Sequence, residues 1–331
     1  MTYNAVTGYD LVTGLGSPRP ALITALAGIA TTNPWTEIDA GSVTSVAATS
    51  TTGKVWLITG GQVHGYDNGT WSTTPSFPSG TPIQVAVGPS SDSNTLWVLS
   101  SNGRLYTLVG SDTWVLMNGS GTGNWKTLTS VGVGPPGPYS VWATSDTFFE
   151  GNCGYTVYYS AGTESSSPWT MVSDVGAIGA AVSPTDGTPW LVTCDHHKLL
   201  KGSVSGSTWT FVSVDPFPWN LDGGTLDAGQ YTAGLFAQSV ALGPANYDAG
   251  AYNDAGVNNG GVGAWTVQPD SGAILDLVLW NAHNGATWNF VPAPPATDGI
   301  PMQISVAPNN GEPWVVTSTG KVIYAASWPR Q

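Results

Sequence analysis

Basic residues are almost missing from this sequence. Eight Lys and Arg stand against 21 Asp and Glu, a formal net charge of −13. Without a basic patch nothing neutralises phosphates, so nucleic acid is excluded as a partner class. An anionic membrane surface is disfavoured for the same reason. Charge of either sign is scarce, at 9% of residues, so little repulsion builds up on acidification, which suits an acidic medium. No apolar run approaches the roughly 20 residues that span a bilayer. The first residues lack a signal-peptide pattern, so an export signal would lie upstream of residue 1. Cysteine is limited to Cys153 and Cys194.

What is abundant points one way. The 331 residues include 43 Gly, 24 Pro, 16 Trp and 12 Tyr, and 41% are hydrophobic. Trp, Tyr, Val and Thr favour strands, while Gly, Pro, Asn and Asp mark the turns between them. The composition is all-β, and too hydrophobic and aromatic for a disordered chain. The length suits one large domain plus an appendage.

The chain is also a repeat. One unit recurs: a β-branched strand, a turn, a strand with Trp, a Gly turn, a strand usually with Tyr, then another Trp. It reads VTSVAATSTTGKVWLITGGQVHGYDNGTW at 43–71 and IQVAVGPSSDSNTLWVLSSNGRLYTLVGSDTW at 83–114. The leading tryptophans are Trp56, Trp97, Trp142, Trp190, Trp265 and Trp314, separated by 41, 45, 48, 75 and 49 residues. Four gaps fit a four-stranded propeller blade, and the 75-residue gap is a blade plus an insertion. Six units that cannot each bury both faces predict a six-bladed β-propeller of four-stranded antiparallel blades. A solenoid, the rival architecture, would need terminal caps that the sequence does not supply. The last unit has no outer strand of its own. PWTEID (34–39) matches the outer strands beginning TWST, TWVL and TWTF, so residues 35–39 are expected to complete the sixth blade.

These repeats resemble the tectonin family of β-propellers, on the strength of GKVWLITGGQVHGY, NTLWVLSSNGRLY and EPWVVTSTGKVIY. The likeness covers about residues 35–328. Copies three to five depart from it, with insertions and with Leu200 or Trp280 near the expected Tyr. The resemblance implies a lectin-like recognition module rather than a catalyst.

The opening stretch is different. YNAVTGYDLVTGLGSP precedes RPALITALAGIA, where Ser17 can cap a helix and Pro18 suits its first position. Leu22, Ile23, Leu26 and Ile29 form an apolar stripe that needs cover. This stretch resembles the extreme C-terminus of the sedolisin family of serine-carboxyl peptidases, over about thirty residues. The resemblance implies a secreted parent with an upstream peptidase domain. It also implies calcium at the closing turn, with the Asp10 carboxylate and the Val6 and Gly8 carbonyls as ligands. Calcium wants six or more oxygens, and the upstream acidic ligand is absent. A turn that merely shapes the chain is the alternative. The family's catalytic Glu, Asp and Ser have no counterpart, so no catalytic residue is carried over. The domains expected are therefore a peptidase remnant at 1–30, a linker at 31–34 and the propeller at 35–331, with no cofactor in the propeller.

Cys153 and Cys194 fall between the Trp strand and the next strand of neighbouring units three and four. In a secreted protein an even count reads as a disulfide. A zinc site with His196 and His197 is the rival, but adjacent residues on a strand point to opposite faces. Twelve tryptophans occupy the two repeating positions and are expected mostly in blade cores, while Trp35 belongs with the closing strand. Trp125 and Trp219 lie outside the register near Gly-, Pro- and Asn-rich turns. Loop aromatics on a rigid scaffold are candidate sugar platforms, and equally candidate loop packing. The Asn-, Asp- and Gly-rich segment 244–263 lacks EF-hand spacing and reads as a polar loop. NGT (68–70) and NGS (118–120) fit glycosylation sequons.

The reading is a monomeric recognition propeller for a neutral glycan or glycoprotein surface. A protein-docking or structural propeller without a small ligand is the alternative. A propeller hydrolase is a third, against which the sparse, scattered charges count.

Overall fold

The computed structural model describes residues 35–325, apart from 51–53, 90–95, 111, 118–126, 136–139, 150–153, 161–166, 194–198, 215–238, 245–261, 269–276, 282–288, 292–293 and 309–310. By contacts the chain divides into two units, Met1–Pro34 and Trp35–Gln331. The expected helix at 19–30 and the calcium ligands Val6, Gly8 and Asp10 lie outside the described residues. Among the described residues the one helical element is a 3-10 turn at Ala296–Asp298, and no helix is long and apolar enough to cross a membrane.

The second unit is all β. A short strand β1 (Thr36–Ile38) comes first. The first sheet follows as β2 (Val43–Ala48), β3 (Lys54–Thr59), β4 (Gln62–Asp67) and β5 (Thr70–Thr73). The second is β6 (Pro82–Val87), β7 (Leu96–Ser100), β8 (Leu105–Val109) and β9 (Thr113–Leu116). The third is β10 (Leu128–Val133), β11 (Val141–Phe148), β12 (Tyr155–Ser160) and β13 (Thr170–Ala177). The fourth is β14 (Gly179–Val182), β15 (Pro189–Val192), β16 (Leu199–Ser205) and β17 (Thr208–Ser213). The fifth is β18 (Ser239–Pro244), β19 (Val262–Gln268), β20 (Leu277–Asn281) and β21 (Asn289–Val291). The last three strands are β22 (Pro301–Val306), β23 (Pro313–Thr317) and β24 (Val322–Tyr324). They take β1 as their fourth, in the order β1-β24-β23-β22. Every pairing is antiparallel, and the other sheets are simple meanders.

The first strands of successive sheets touch in the cyclic order β2, β6, β10, β14, β18, β22 and back to β2. This is a β-propeller with four-stranded antiparallel blades. Thr36 pairs with Tyr324 and Ile38 with Val322, so the last sheet is completed by chain from both ends of the unit, as PWTEID suggested. Trp35, just before β1, is buried among Val267, Ile304, Val315 and Ile323.

There is no single central core. Apolar side chains form six clusters, one between each neighbouring pair of sheets. The two-residue strand period explains this, because each strand faces both neighbours. On β3, Val55 and Leu57 face the sixth sheet while Trp56 and Ile58 face the second. Trp56, Trp97, Trp142, Trp190 and Trp314 each wedge toward the following sheet. Trp97, Trp142, Trp190 and Trp314 are buried and Trp56 is half-buried.

The second tryptophans are less uniform. Trp114, Trp169 and Trp209 are partly buried against the clusters. Trp71 is 40% exposed and sits edge-on to His64 and Tyr66. The Trp–Tyr pattern is not one structural register either. Trp314 pairs with Tyr324, whereas Trp56 pairs with Gly65 and Trp97 with Thr107. Two things set the offset: the turn, since Thr59 pairs directly with Gln62 whereas Leu99 pairs with Leu105 and Val316 with Val322, and the Trp–Tyr spacing, nine residues for Trp97–Tyr106 and ten for Trp314–Tyr324.

Candidate functional site

The first strand of every sheet leaves one edge unpaired, facing the central channel. Bare N–H groups there need partners. On five of the six first strands a Ser or Gln at one equivalent position, just before Val46, Val85, Val131, Val240 or Ile304, supplies them. Val85 N–H donates to Ser45 Oγ (3.1 Å). Val131 N–H donates to Gln84 Oε1 (3.0 Å), and Gln84 Nε2 donates back to the Val131 carbonyl (2.9 Å). Ala180 N–H donates to Ser130 Oγ and Ile304 N–H to Ser239 Oγ, both at 3.4 Å. Val46 N–H donates to Gln303 Oε1 (3.1 Å), and Ala48 N–H to Ser305 Oγ (2.9 Å). The equivalent residue on the fourth sheet is Gly179, which has no side chain to offer. Among the described residues, five of six seams are thus laced by side chains and the one after Gly179 is not.

This belt was legible but unread. TSVA, IQVA, TSVG, QSVA and MQIS each place a Ser or Gln directly before a Val or Ile of the first strand. Its groups are occupied in holding sheets together. The channel they line measures about 540 Å³, and none of its lining residues is ionisable. Thr44, Ile83, Thr129 and Met302 stand where the register shifts at the start of β2, β6, β10 and β22, and all four line the channel. Such bulges increase local twist and re-aim a side chain. Among the described residues the channel offers hydroxyl, amide and methyl groups, but no acid, base or cation. Among the described residues no three His, Cys, Asp or Glu gather as a metal site.

The ionic groups sit at the closure instead. Lys321 Nζ lies 2.9 Å from both Glu37 Oε2 and Asp298 Oδ1. Hydrogen bonds from Lys321 to Asp298 and Glu37 raise the lysine above its usual range. Tyr324 stacks on Trp314 with centroids 4.4 Å apart. Burial, then the nearby Tyr66 and Glu312, push its hydroxyl upward. These groups fasten β1 to its sheet.

Two turns repeat the fastening on the face where first strands begin. Gly103 and Gly320 adopt left-handed φ of 73° and 78°. Their carbonyls accept from Leu128 N–H (3.0 Å) and Val43 N–H (2.8 Å) of the following sheets. A Cβ at Gly103 would come within 2.7 Å of Thr127 Cα, so only glycine fits.

The third sheet departs from the others on that same face. Between the pairs Thr144–Val157 and Phe148–Tyr155, three residues of β11 oppose one of β12. On the other side, Val172 to Val175 bulge between the pairs Tyr158–Met171 and Thr156–Gly176. Asp174 takes a φ of 66° within that bulge. The outcome is a projecting end on which Phe148 (62% exposed) and Tyr155 (37% exposed) stand directly opposite. The sequence signal for this pair is the insert TFFEGNCGY, which lengthens the third repeat.

The residues singled out from sequence, Trp125, Trp219, Cys153 and Cys194, lie outside the described residues, as do His196 and His197. Described strand ends bracket them: β9 and β10 for Trp125, β17 and β18 for Trp219, β11 and β12 for Cys153, β15 and β16 for Cys194. All four connections leave and re-enter on the face where the first strands begin. Segment 244–263 is almost wholly outside the description, as is Asn118. Asn68 is exposed in the β4–β5 turn, with a φ of 46°.

No protein-family model matches the chain, and no curated protein matches it. Solved structures do. A gluconolactonase-like protein aligns with a TM-score of 0.57 at 12% identity, covering 88% of this chain and 90% of its own. The RRP9 WD40 repeats align at 0.53 and 9% identity, covering 88% and 96%. YCF48 bound to D1 peptide aligns at 0.50 and 12% identity, covering 86% and 77%. At such identities the likeness establishes the β-propeller fold alone.

Proposed function

We propose that this chain is a six-bladed, tectonin-like recognition propeller that binds a neutral glycan or glycoprotein surface and catalyses nothing itself. In its natural setting it follows a secreted sedolisin-type peptidase and localises that enzyme on its target. The observation that carries this reading is the division of labour in the ring. The polar groups of the channel are engaged across its seams and none of its described lining is ionisable, while Phe148 and Tyr155 stand exposed on the face where the first strands begin. General acid–base chemistry needs positioned titratable groups, which the described channel does not offer. Recognition needs aromatic faces and neutral hydrogen-bonding groups on a rigid scaffold. Charge favours a neutral target over a polyanion.

Three subsidiary proposals accompany it. Trp125 and Trp219 serve as ligand contacts. Cys153 and Cys194 form a disulfide closing a loop of about forty residues, worth roughly 3–4 kcal/mol if unstrained. Val6, Gly8 and Asp10 contribute to a calcium site in the intact parent. A glycan-array screen of the purified chain tests the main reading, together with a peptide-hydrolysis assay at acidic pH. Binding to at least one neutral glycan and no cleavage are expected. No affinity across the array, or hydrolysis, overturns the corresponding half. A protein-docking role is the second reading, favoured by one observation: a propeller of similar fold, YCF48, is bound to a peptide.

A further inference from the structure

We infer that Phe148 and Tyr155 form a ring-stacking platform for a sugar of a neutral polysaccharide, on the projecting end of the third sheet. The inference rests on the recognition reading and gives it a location. Directly opposed residues of an antiparallel pair share one face, with Cβ atoms about 5 Å apart. The two rings therefore present one apolar surface, of a size to match a pyranose ring. Phe148 is the most exposed of the large hydrophobic residues described. Solvating two aromatics at the end of a strand brings no folding advantage, so the pair calls for another account.

The platform is held in place before any ligand arrives. Phe149 N–H donates to the Gly154 carbonyl (2.9 Å), and Asp146 N–H to the Thr127 carbonyl (2.8 Å). Thr156 Oγ1 donates to the Thr147 carbonyl (3.1 Å), and Thr147 N–H to Ser145 Oγ (3.2 Å). Gly154 lies so close to β13 that a Cβ would meet Ala177 N at 2.6 Å. A fixed surface loses little ordering entropy on binding, which favours a weakly interacting ligand such as a sugar. Exposed Asp146 and Thr147 stand beside Phe148 in sequence, and can exchange hydrogen bonds with hydroxyl groups.

Charge and size select the occupant. Residues 127–177 contain four Asp or Glu and no Lys, Arg or His, so anionic lipid and polyanions are repelled here. A protein partner of ordinary size buries about 800 Å² per side. The other exposed large hydrophobics, Trp71, Ile83, Val109, Met171, Val204 and Val212, belong to six other strands, and of these only Met171 stands on the same sheet, where it pairs with Tyr158 rather than with Tyr155. Two rings without a surrounding apolar field fit one sugar, and repeating units of a polysaccharide add avidity.

The test uses the full chain in affinity electrophoresis through gels containing laminarin, galactomannan, xyloglucan or soluble starch. The wild type should be retarded by at least one of them. Phe148→Ala with Tyr155→Ala should weaken that retardation about tenfold or more, with an unchanged thermal midpoint. Tyr155→Phe, which keeps the ring, should bind like wild type. Retardation of wild type and double variant alike would overturn the platform and leave the recognition reading standing. A wild type that none of the four retards, but that binds elsewhere on a glycan array, would overturn the neutral-polysaccharide assignment. No binding in either assay would overturn the reading with it. Binding to phosphatidylcholine vesicles that depends on the two rings, without sugar binding, would assign the pair to a lipid surface and overturn the inference.

Discussion

The sixth and third sheets are built on the same four-strand plan and spend their residues in opposite ways. The sixth gathers partners. Its outer strand β1 comes from the start of the unit, Trp35 is buried beside it, and Lys321 bridges to Glu37 and Asp298. The third sheet releases partners. Its second and fourth strands each run to eight residues, both bulge, and two aromatics end in solvent. Repetition makes a ring, while departures from repetition separate the sheet that closes it from the sheet that reaches outward.

The sharpest way to break this contrast is at the closure. Deleting residues 1–40 removes β1 and Trp35, and should lower the thermal midpoint more than any single substitution. Deleting 1–30 should leave it nearly unchanged. Equal tolerance of both deletions in calorimetry would refute closure by β1. Glycines come next in size. Gly320→Ala places a side chain at a φ of 78° and within 3.0 Å of Ser42, and should cost about 1–3 kcal/mol by denaturant titration. Gly154→Ala should cost a similar amount by meeting the backbone of β13. Only the second should also reduce polysaccharide retardation, because only it disturbs the projecting end.

A gain is expected at the one unlaced seam. A Cβ at Gly179 would meet nothing nearer than Val192 at 3.8 Å. Gly179→Ser should therefore add the missing link from the fourth sheet to the fifth, and stabilise by about 1 kcal/mol. No gain in the unfolding midpoint would mean that the seam is satisfied in another way.

A smaller effect is expected at Lys321. Its value is raised in the folded state by hydrogen bonds to Asp298 and Glu37. The bridge therefore contributes fully below the ordinary lysine range and is lost as the pH climbs through the raised value. Lys321→Met should lower the midpoint slightly at neutral pH and low salt. The difference from wild type should vanish in strong alkali and shrink in high salt. The smallest effect belongs to the third sheet: Phe148→Ala should change stability by no more than about 0.5 kcal/mol, since its ring supports no cluster.

Much of the architecture could be read directly from residues. Trp spacing counted the units, and the resemblance of PWTEID to the outer strands TWST, TWVL and TWTF located the closing strand. These are local signals, carried by strand period and turn composition, so a linear reading finds them. The belt was equally local, yet Ser45, Gln84 and Ser130 look like ordinary strand residues until the neighbouring sheet supplies the N–H group each accepts from. The platform was hidden for another reason. Phe148 and Tyr155 are seven residues apart, and only the unequal bulges bring them opposite.

By itself, then, the sequence determined that the chain would be all β, that its unit was a Trp-bearing four-strand repeat, and that its surface would repel polyanions. Composition and period suffice for those, because they follow from strand propensity, turn chemistry and summed charge. Tertiary structure alone decided which polar residues lace the seams, which repeat tryptophan remains in water, and which aromatics are left to meet a ligand. Those depend on register and on the edge of the next sheet, and a single strand carries no information about what will be packed against it.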